Sequence, residues 1–254
     1  MISNIARIAQ VIAQHPRSVL YAILSARIEL KRNKLTALAD HHGTDKGHKK
    51  HLYTRIYHDY FKARTGPVRS ILEIGLLNHD VQKRLKQQTF TTVPSLQMWS
   101  EYFPDAQIFG FDKSDFSNAA GPFAQIIQGD QSSRDDLSVL SAAIGCMDII
   151  IDDALHASKH QQISFSYLFS KLNRGGIYII EDLHYQPVEQ EEKDTPKTVE
   201  LLETLSTKGE WESPFATEEE KVFIENNTKR VLFFDSAAHG FNGAKALAII
   251  ERCF

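Results

Sequence analysis

Two short stretches gather the side chains best suited to chemistry. Asp152-Asp153-Ala154-Leu155-His156 follows one apolar run, and Glu181-Asp182 follows the next. If the two runs are neighbouring strands, their ends lie about 5 Å apart, so four carboxylates and an imidazole converge. Unpaired, such charges repel and raise one another's pKa values. A hard divalent cation relieves the repulsion, and oxygen ligands suit Mg²⁺, Mn²⁺ or Ca²⁺ better than zinc. The plain alternative is a set of helix N-caps and one solvated acid.

Three further runs also end in glycine or acid. Glu73-Ile74-Gly75 closes the first: Gly75 lets backbone approach a ligand, and the Glu73 carboxylate can accept from an amine or hydroxyl. Asp112 ends QIFGFD, where one carboxylate can accept from both hydroxyls of a ribose. Gly129-Asp130-Gln131 ends the third, where an acid and an amide can read an adenine edge. Each residue also serves as an ordinary turn or helix-start residue, and Ser133 followed by Asp136 reads as a helix start. Three successive ends of this kind favour a nucleoside ligand. Leu76, Leu77, Asn78 and His79 follow Gly75 where a dinucleotide fingerprint needs further glycines, which counts against a nicotinamide-dependent oxidoreductase.

The stretch from His41 to His51 holds four histidines among glycines and lysines. It reads as a transition-metal loop, as a flexible loop contacting an anionic group, or as a solvated linker, and composition does not separate the three. Leu52, Tyr53, Ile56, Tyr57, Tyr60 and Phe61 recur at helical spacing and read as core.

The elements that must position these groups alternate. SILEIG (70–75), QIFGFD (107–112), FAQIIQGD (123–130), MDIIIDD (147–153) and GIYIIED (176–182) are strand-like, with helical patterns near 95–103, 133–144 and 158–172. That rhythm predicts an α/β fold with a parallel sheet, whose ligands bind at the carboxyl ends of the strands. Residues 76–94 lengthen the first strand-to-helix connection, and the acid-rich segment 187–220 shows one helical pattern, near Val199–Leu205. The latter reads as solvated surface or as a cover over the site. Ahead of the sheet, Ile5, Ile8, Val11 and Ile12, then Val19, Leu20, Ile23, Leu24 and Ile28, recur at helical spacing on either side of Pro16. They predict a pair of amphipathic helices packed on the domain or on a second copy, with an interfacial membrane helix as the sharper alternative. The expected organisation is a helical segment over 1–65 and a main domain over 66–254.

The chain has 254 residues with 42% hydrophobic and 24% charged, ordinary values for a globular protein. A formal net charge of -3 leaves no basic excess for a nucleic-acid partner. Cys146 and Cys253 make no disulfide framework and no CxxC pair, which points to a reducing cytoplasm. No run reaches the 18 or so apolar residues of a spanning helix, and no clean signal peptide is present.

Taken in order, HGTDKG…HLYTRIYHDYF, ILEIG, PSLQMWSEYFPDAQIFGFD, GDQSS, IIIDDALH and GGIYIIEDLH resemble the metal-dependent sugar O-methyltransferases of macrolide biosynthesis, over roughly residues 40–186. The resemblance implies the class I S-adenosylmethionine-dependent methyltransferase fold, a Rossmann-like sheet of seven mostly parallel strands with helices on both faces. Its last strands would fall near 229–236 and 244–250. It implies that Glu73, Gly75, Asp112 and Asp130 bind S-adenosylmethionine, with Gly129, Gln131 and Asp152 completing that set. Asp153, Glu181 and Asp182 would hold Mg²⁺ or another divalent cation, and His156, beside Asp153, would be the general base. Two departures stand out: the loop after Gly75 lacks the family's usual glycines, and DDALH replaces DDGSH. The implied activity is methylation of a sugar hydroxyl on a glycoside, glycolipid or polysaccharide precursor, in natural-product biosynthesis. A small-molecule or glycan acceptor is the expected partner, with self-association through the N-terminal helices. A catechol-type O-methyltransferase and a non-catalytic binding module are the alternatives.

Overall fold

The computed structural model describes residues 33–48, 50–64, 66–76, 92–119, 121–186, 188–235 and 245–254. The helical patterns read between Ile5 and Ile28, and most of the 76–94 connection, lie outside the described residues.

Among the described residues two helices, α1 (Lys34–His42) and α2 (Tyr53–Ala63), precede the sheet. There follow β1 (Ser70–Ile74), α3 (Pro94–Tyr102), β2 (Gln107–Asp112), β3 (Gln125–Gln128), α4 (Arg134–Ile144), β4 (Met147–Asp152), α5 (Ser158–Leu168) and β5 (Leu172–Ile180). The chain ends with α6 (Thr198–Lys208), α7 (Glu218–Asn227), β6 (Thr228–Asp235) and β7 (Lys245–Arg252). The seven strands lie in the order β3-β2-β1-β4-β5-β7-β6. β1 to β5 pair in parallel, whereas β7 runs antiparallel to both β5 and β6. The expected seven-stranded, mostly parallel sheet is the one observed.

This order follows from the sequence pattern. β4 is buried at every position, as a central parallel strand covered on both faces must be. Alternate residues then serve opposite layers: Ile149 and Ile151 pack with Leu35, Tyr57, Leu96 and Trp99, while Ile150 packs with Leu140, Phe165 and Trp211. So α1, α2 and α3 cover one face and α4 to α7 the other. Strand order reverses direction between β1 and β4, the crevice where open α/β sheets take their ligands.

Two stretches differ in detail from the sequence reading. The helix expected to reach residue 172 ends at Leu168 and passes through a 3₁₀ turn, Phe169–Lys171, into a strand that begins at Leu172. The acid-rich stretch holds α6 where the apolar spacing put it, and also α7, which the apolar pattern did not reveal. α7 is set by capping rather than by an apolar stripe: Thr217 and Glu220 form a reciprocal capping box. Glu220 also takes both guanidinium nitrogens of Arg134 at 2.8 Å, tying α7 to α4. Between the two helices, buried Trp211 donates its indole N–H to Ser166 Oγ at 3.0 Å. Among the described residues no helix is long and apolar enough to cross a membrane.

Thr217→Ala is expected to cost about 1 kcal/mol, the usual loss for an N-cap hydroxyl. Glu220→Ala should cost more, because it also strips Arg134 of a two-point partner. Urea unfolding of the two variants checks the ranking; equal losses would show that the Arg134 pair contributes nothing.

Candidate metal and cofactor site

The strand ends meet as their sequence order requires. Hydrogen bonding runs on past β4 and β5, with Asp153 N–H donating to Ile74 O and Glu181 N–H to Asp152 O, both at 2.9 Å. Gly75 has φ +86°, and a Cβ built there would sit 2.6 Å from Ala154 N and against Asp153 O. The glycine therefore lets the end of β1 pass directly beside the 153–154 turn. Among the described residues four non-glycine residues have positive φ, and two of them, His156 (64°) and Asp182 (53°), belong to this edge. Strain of that kind persists where the surroundings over-determine it and clusters at functional sites.

Asp153, His156 and Asp182 each place one ligand atom within 4.8 Å of the others. His156 Nε2 lies 3.6 Å from Asp182 Oδ2, and Tyr53 donates to Asp182 Oδ1 at 2.6 Å. Glu181 Oε1 accepts from Tyr57 at 2.6 Å and from Lys46 at 2.9 Å. Lys46, only 1% exposed, also donates to Asp153 Oδ2 and stands 3.2 Å from Glu73 Oε1. The indole of Trp99 completes the Glu73 carboxylate, donating to Oε2 at 3.0 Å.

Burial sets the electrostatics. It pushes the Glu181 carboxyl well up, helped by the charge of Asp153 and opposed by Lys46 and Tyr57. Burial likewise raises Asp153 and Glu73, against the pull of Lys46. Asp182 goes the other way: burial is outweighed by His156, His51 and the Tyr53 hydroxyl, and its carboxyl sits below the usual range. On Lys46, burial works against the charge, but Asp153, Glu181 and Glu73 together hold the ammonium well above its ordinary value.

The other cofactor candidates line the same edge. Asp152 turns to the opposite face from Asp153 and accepts from Gln131 Nε2 at 3.2 Å, Ser164 Oγ at 2.5 Å and Tyr178 at 3.2 Å. Burial pushes its pKa to about 6 in spite of these bonds. Gln131 in turn accepts from Leu155 N–H at 3.2 Å, so it braces the turn between Asp153 and His156. Asp112 accepts from Leu76 N–H and Ser114 N–H at 2.8 and 2.7 Å, and its carbonyl accepts from Gly129 N–H at 2.9 Å. Asp130 pairs with Lys113 at 2.7 Å and accepts from Ser132, which offsets burial and lowers its pKa to about 2. Glu73, Asp153, His156, Glu181 and Asp182 are thus one cluster, while Asp112, Gly129 and Asp130 form a second group one and two strands along.

Lys46, Tyr53 and Tyr57 are members of the cluster that sequence reasoning did not single out. The signal was present in part, since the 41–51 loop was noted for contact with an anionic group; its anions are the protein's own carboxylates. The tyrosines lie four residues apart on the buried face of α2. Their rings are core as read, but their hydroxyls reach the site.

The donor set fits a hard divalent ion. Two carboxylates and an imidazole lie within coordinating reach of one point, at an edge carrying more acid than base. No family model matches the chain. Curated relatives do. It is 36% identical over 175 residues to 8-demethyl-8-alpha-L-rhamnosyl tetracenomycin-C 2'-O-methyltransferase of Streptomyces olivaceus, covering 67% of this chain and 44% of that one. It is 33% identical over 170 residues to demethylmacrocin O-methyltransferase of Streptomyces fradiae, covering 67% and 40%. Among solved structures, the MycE methyltransferase of mycinamycin biosynthesis, in complex with Mg and SAH, superposes with a TM-score of 0.68 at 27% identity, over 95% of this chain and 60% of that one. Over two thirds of its own length the chain is similar to these sugar O-methyltransferases. Its fold is that of the class I methyltransferases. It spans less than half the length of the two curated relatives it is compared with.

Gly75→Ala is expected to destabilise the fold by more than the ~1–2 kcal/mol of a left-handed backbone alone, because the added methyl meets backbone at Asp153 and Ala154. Denaturant unfolding checks this, and wild-type stability would show that the two strand ends do not pack as described.

Proposed function

We propose that this protein transfers a methyl group from S-adenosylmethionine to a hydroxyl of a sugar carried on a small-molecule glycoside, with the help of a divalent cation. The observation that carries the reading is the convergence of Asp153, His156 and Asp182 at the β1/β4 crevice. Relatives named for methylating rhamnosyl and macrolide-linked sugars support the choice of acceptor class. Solved complexes of MycE with Mg and SAH support the donor and the ion.

In this reading Asp153 and Asp182 hold the ion, with Glu181 behind them held by Lys46 and Tyr57. A bound divalent ion supplies Lewis acidity, lowering the pKa of an acceptor hydroxyl. His156 takes the hydroxyl proton, the general-base role that an imidazole can fill. Asp182, 3.6 Å away, stabilises the imidazolium that results and is kept ionised by its own neighbours. The left-handed backbone at His156 fixes where the ring stands. Glu73, Gly75, Asp112, Gly129, Asp130, Gln131 and Asp152 are assigned to the donor's side of the crevice. Asp112 is offered to the ribose; Glu73, Gln131 and Asp152 act mainly by holding the strand ends. The free cysteines, Cys146 and Cys253, suit a reducing cytoplasm.

Calorimetric titration with S-adenosylmethionine, with and without Mg²⁺, tests the donor, and a panel of rhamnosyl glycosides and catechols tests the acceptor. Saturable donor binding and Mg²⁺-dependent methylation of a sugar hydroxyl are expected; methylation of catechols alone, or no donor binding by folded protein, rejects the reading. Asp153→Asn should abolish Mg²⁺-dependent turnover. His156→Ala should keep donor and Mn²⁺ binding yet slow transfer by about a hundredfold or more. Loss of Mn²⁺ binding in that variant would make His156 a metal ligand instead of the base.

A further inference from the structure

Lys46 is a buried ammonium at the centre of a carboxylate cluster. It has three N–H donors, and three carboxylates face it: Glu73 from β1, Asp153 from the end of β4, and Glu181 from the end of β5. One of those carboxylates, Asp153, is offered to a divalent ion by the proposed function, and Glu181 stands directly behind it. Either the ammonium leaves when an ion enters, or both cations share the cluster.

The loop that carries Lys46 decides between these. Its backbone is tied on both sides: Thr44 N–H donates to Ala39 O at 3.1 Å, His51 N–H to Asp45 O at 3.0 Å, and Leu52 N–H to Gly47 O at 3.0 Å. Lys46 O itself accepts from Thr54 N–H at 3.1 Å, so the residue is part of the N-terminal cap of α2. His48 N–H donates to Asp40 Oδ1 at 2.9 Å. A Cβ at Gly47 would stand 2.6 Å from Asp40 Oδ1 and 3.0 Å from Ala39 Cβ, so the loop lies packed on the end of α1. α1 and α2 are joined by the Thr36–Thr54 hydroxyl pair at 2.9 Å. The loop therefore cannot carry Lys46 away without breaking the start of the helix that brings Tyr53 and Tyr57 to the same site, and the side chain, 1% exposed, is enclosed where it stands.

The charge balance agrees. Glu73, Asp153, Glu181 and Asp182 are four acids, and a divalent ion alone would leave two of them buried without a countercharge. Glu73 faces Lys46 and Trp99 and is not among Asp153, His156 and Asp182, whose ligand atoms lie within 4.8 Å of one another. Asp153 has a second oxygen beyond the one that Lys46 holds.

We propose that Lys46 is a resident cation of the site: it stays on Glu73 and Glu181 while a divalent ion takes Asp153 and Asp182, so one fixed charge preorganises the ligands and also tempers their affinity for the ion. The inference rests on the divalent-ion part of the proposed function and uses Mn²⁺ as the probe.

The test combines lysine labelling of the wild-type chain with Mn²⁺ titration of variants. Acylation read by mass spectrometry should find Lys46 protected both in EDTA and in saturating Mn²⁺. Lys46→Met should lower the Tm in EDTA, because Glu73 and Glu181 lose their cation, and should bind Mn²⁺ at least about tenfold more tightly, as expected for removing one nearby like charge. Saturating Mn²⁺ should narrow the Tm gap to wild type. The pair Lys46→Met with Glu73→Gln should recover part of the Tm in EDTA, and it replaces the single variant if that one fails to fold. Labelling of Lys46 that rises with Mn²⁺ would overturn the proposal, and so would unchanged or weaker Mn²⁺ binding by the variants. If the wild-type chain takes up no Mn²⁺, the divalent-ion reading falls and this proposal with it; uptake with Lys46 released removes this proposal alone.

Discussion

Four carboxylates set beside one another, two buried and two half-buried, are the constraint on which the rest of the arrangement depends. Glu73, Asp153, Glu181 and Asp182 meet because β1, β4 and β5 are adjacent and parallel, so their acidic ends fall on one edge. Each charge taken out of water costs several kcal/mol unless it is paired and hydrogen-bonded. The chain answers with donors from outside the sheet: the Lys46 ammonium, the Tyr53 and Tyr57 hydroxyls and the Trp99 indole. All four come from α1-to-α3 territory, which explains why that face carries a cap of helices ahead of the first strand.

The two faces of the sheet treat their acids differently. Period-two alternation sends Asp152 to the face of α4 and α5 and Asp153 to the face of α1 and α2. Asp152 accepts from neutral donors, Gln131, Ser164 and Tyr178 among them, and burial pushes its pKa up to about 6. Asp153 meets an ammonium. Two consecutive aspartates thus take separate duties: one anchors the strand end to α5, the other is presented to the crevice. A sequence reader sees Asp-Asp as a single acidic feature, whereas the pleat divides it.

That division shows how far the sequence could be read. The five parallel strands and the acids at their ends were legible, because buried parallel strands appear as short β-branched runs and ligand-facing residues must follow them. Asp152, Asp153, His156, Glu181 and Asp182 were read as converging; the structure groups Asp153, His156, Glu181 and Asp182, adds Glu73 through Lys46, and turns Asp152 to the opposite face. The partners of these groups were harder to see. Lys46 comes from a loop whose composition fits several purposes, and it lies 107 residues from Asp153 and 135 from Glu181 along the chain. Tyr53 and Tyr57 carry the apolar spacing of a core helix, and spacing reports where a ring packs but not what its hydroxyl meets. α7 was missed for a related reason: Thr217 and Glu220 set its start, while its buried face is reduced to Ile224.

Gly75 joins the sheet geometry to the strained backbone of the site. In many strand-to-helix turns such a glycine makes room for a ligand; here the space is filled by the 153–154 backbone. Pressing that turn against β1 leaves only three residues in which to bring His156 back over Asp182, and the chain does so by taking a left-handed conformation at His156. Asp182 is left-handed as well, its carbonyl accepting from Tyr185 N–H at 2.8 Å and its carboxylate from Tyr53. Neither residue is a glycine, the type that adopts this conformation at least cost, although aspartate and histidine tolerate it better than most. Their side chains therefore have to be there, and the local strain is held by the packed strand ends below and the hydroxyl above. The same contacts that bury the charges also fix the imidazole and the carboxylate in register, so stability and site geometry draw on one set of interactions.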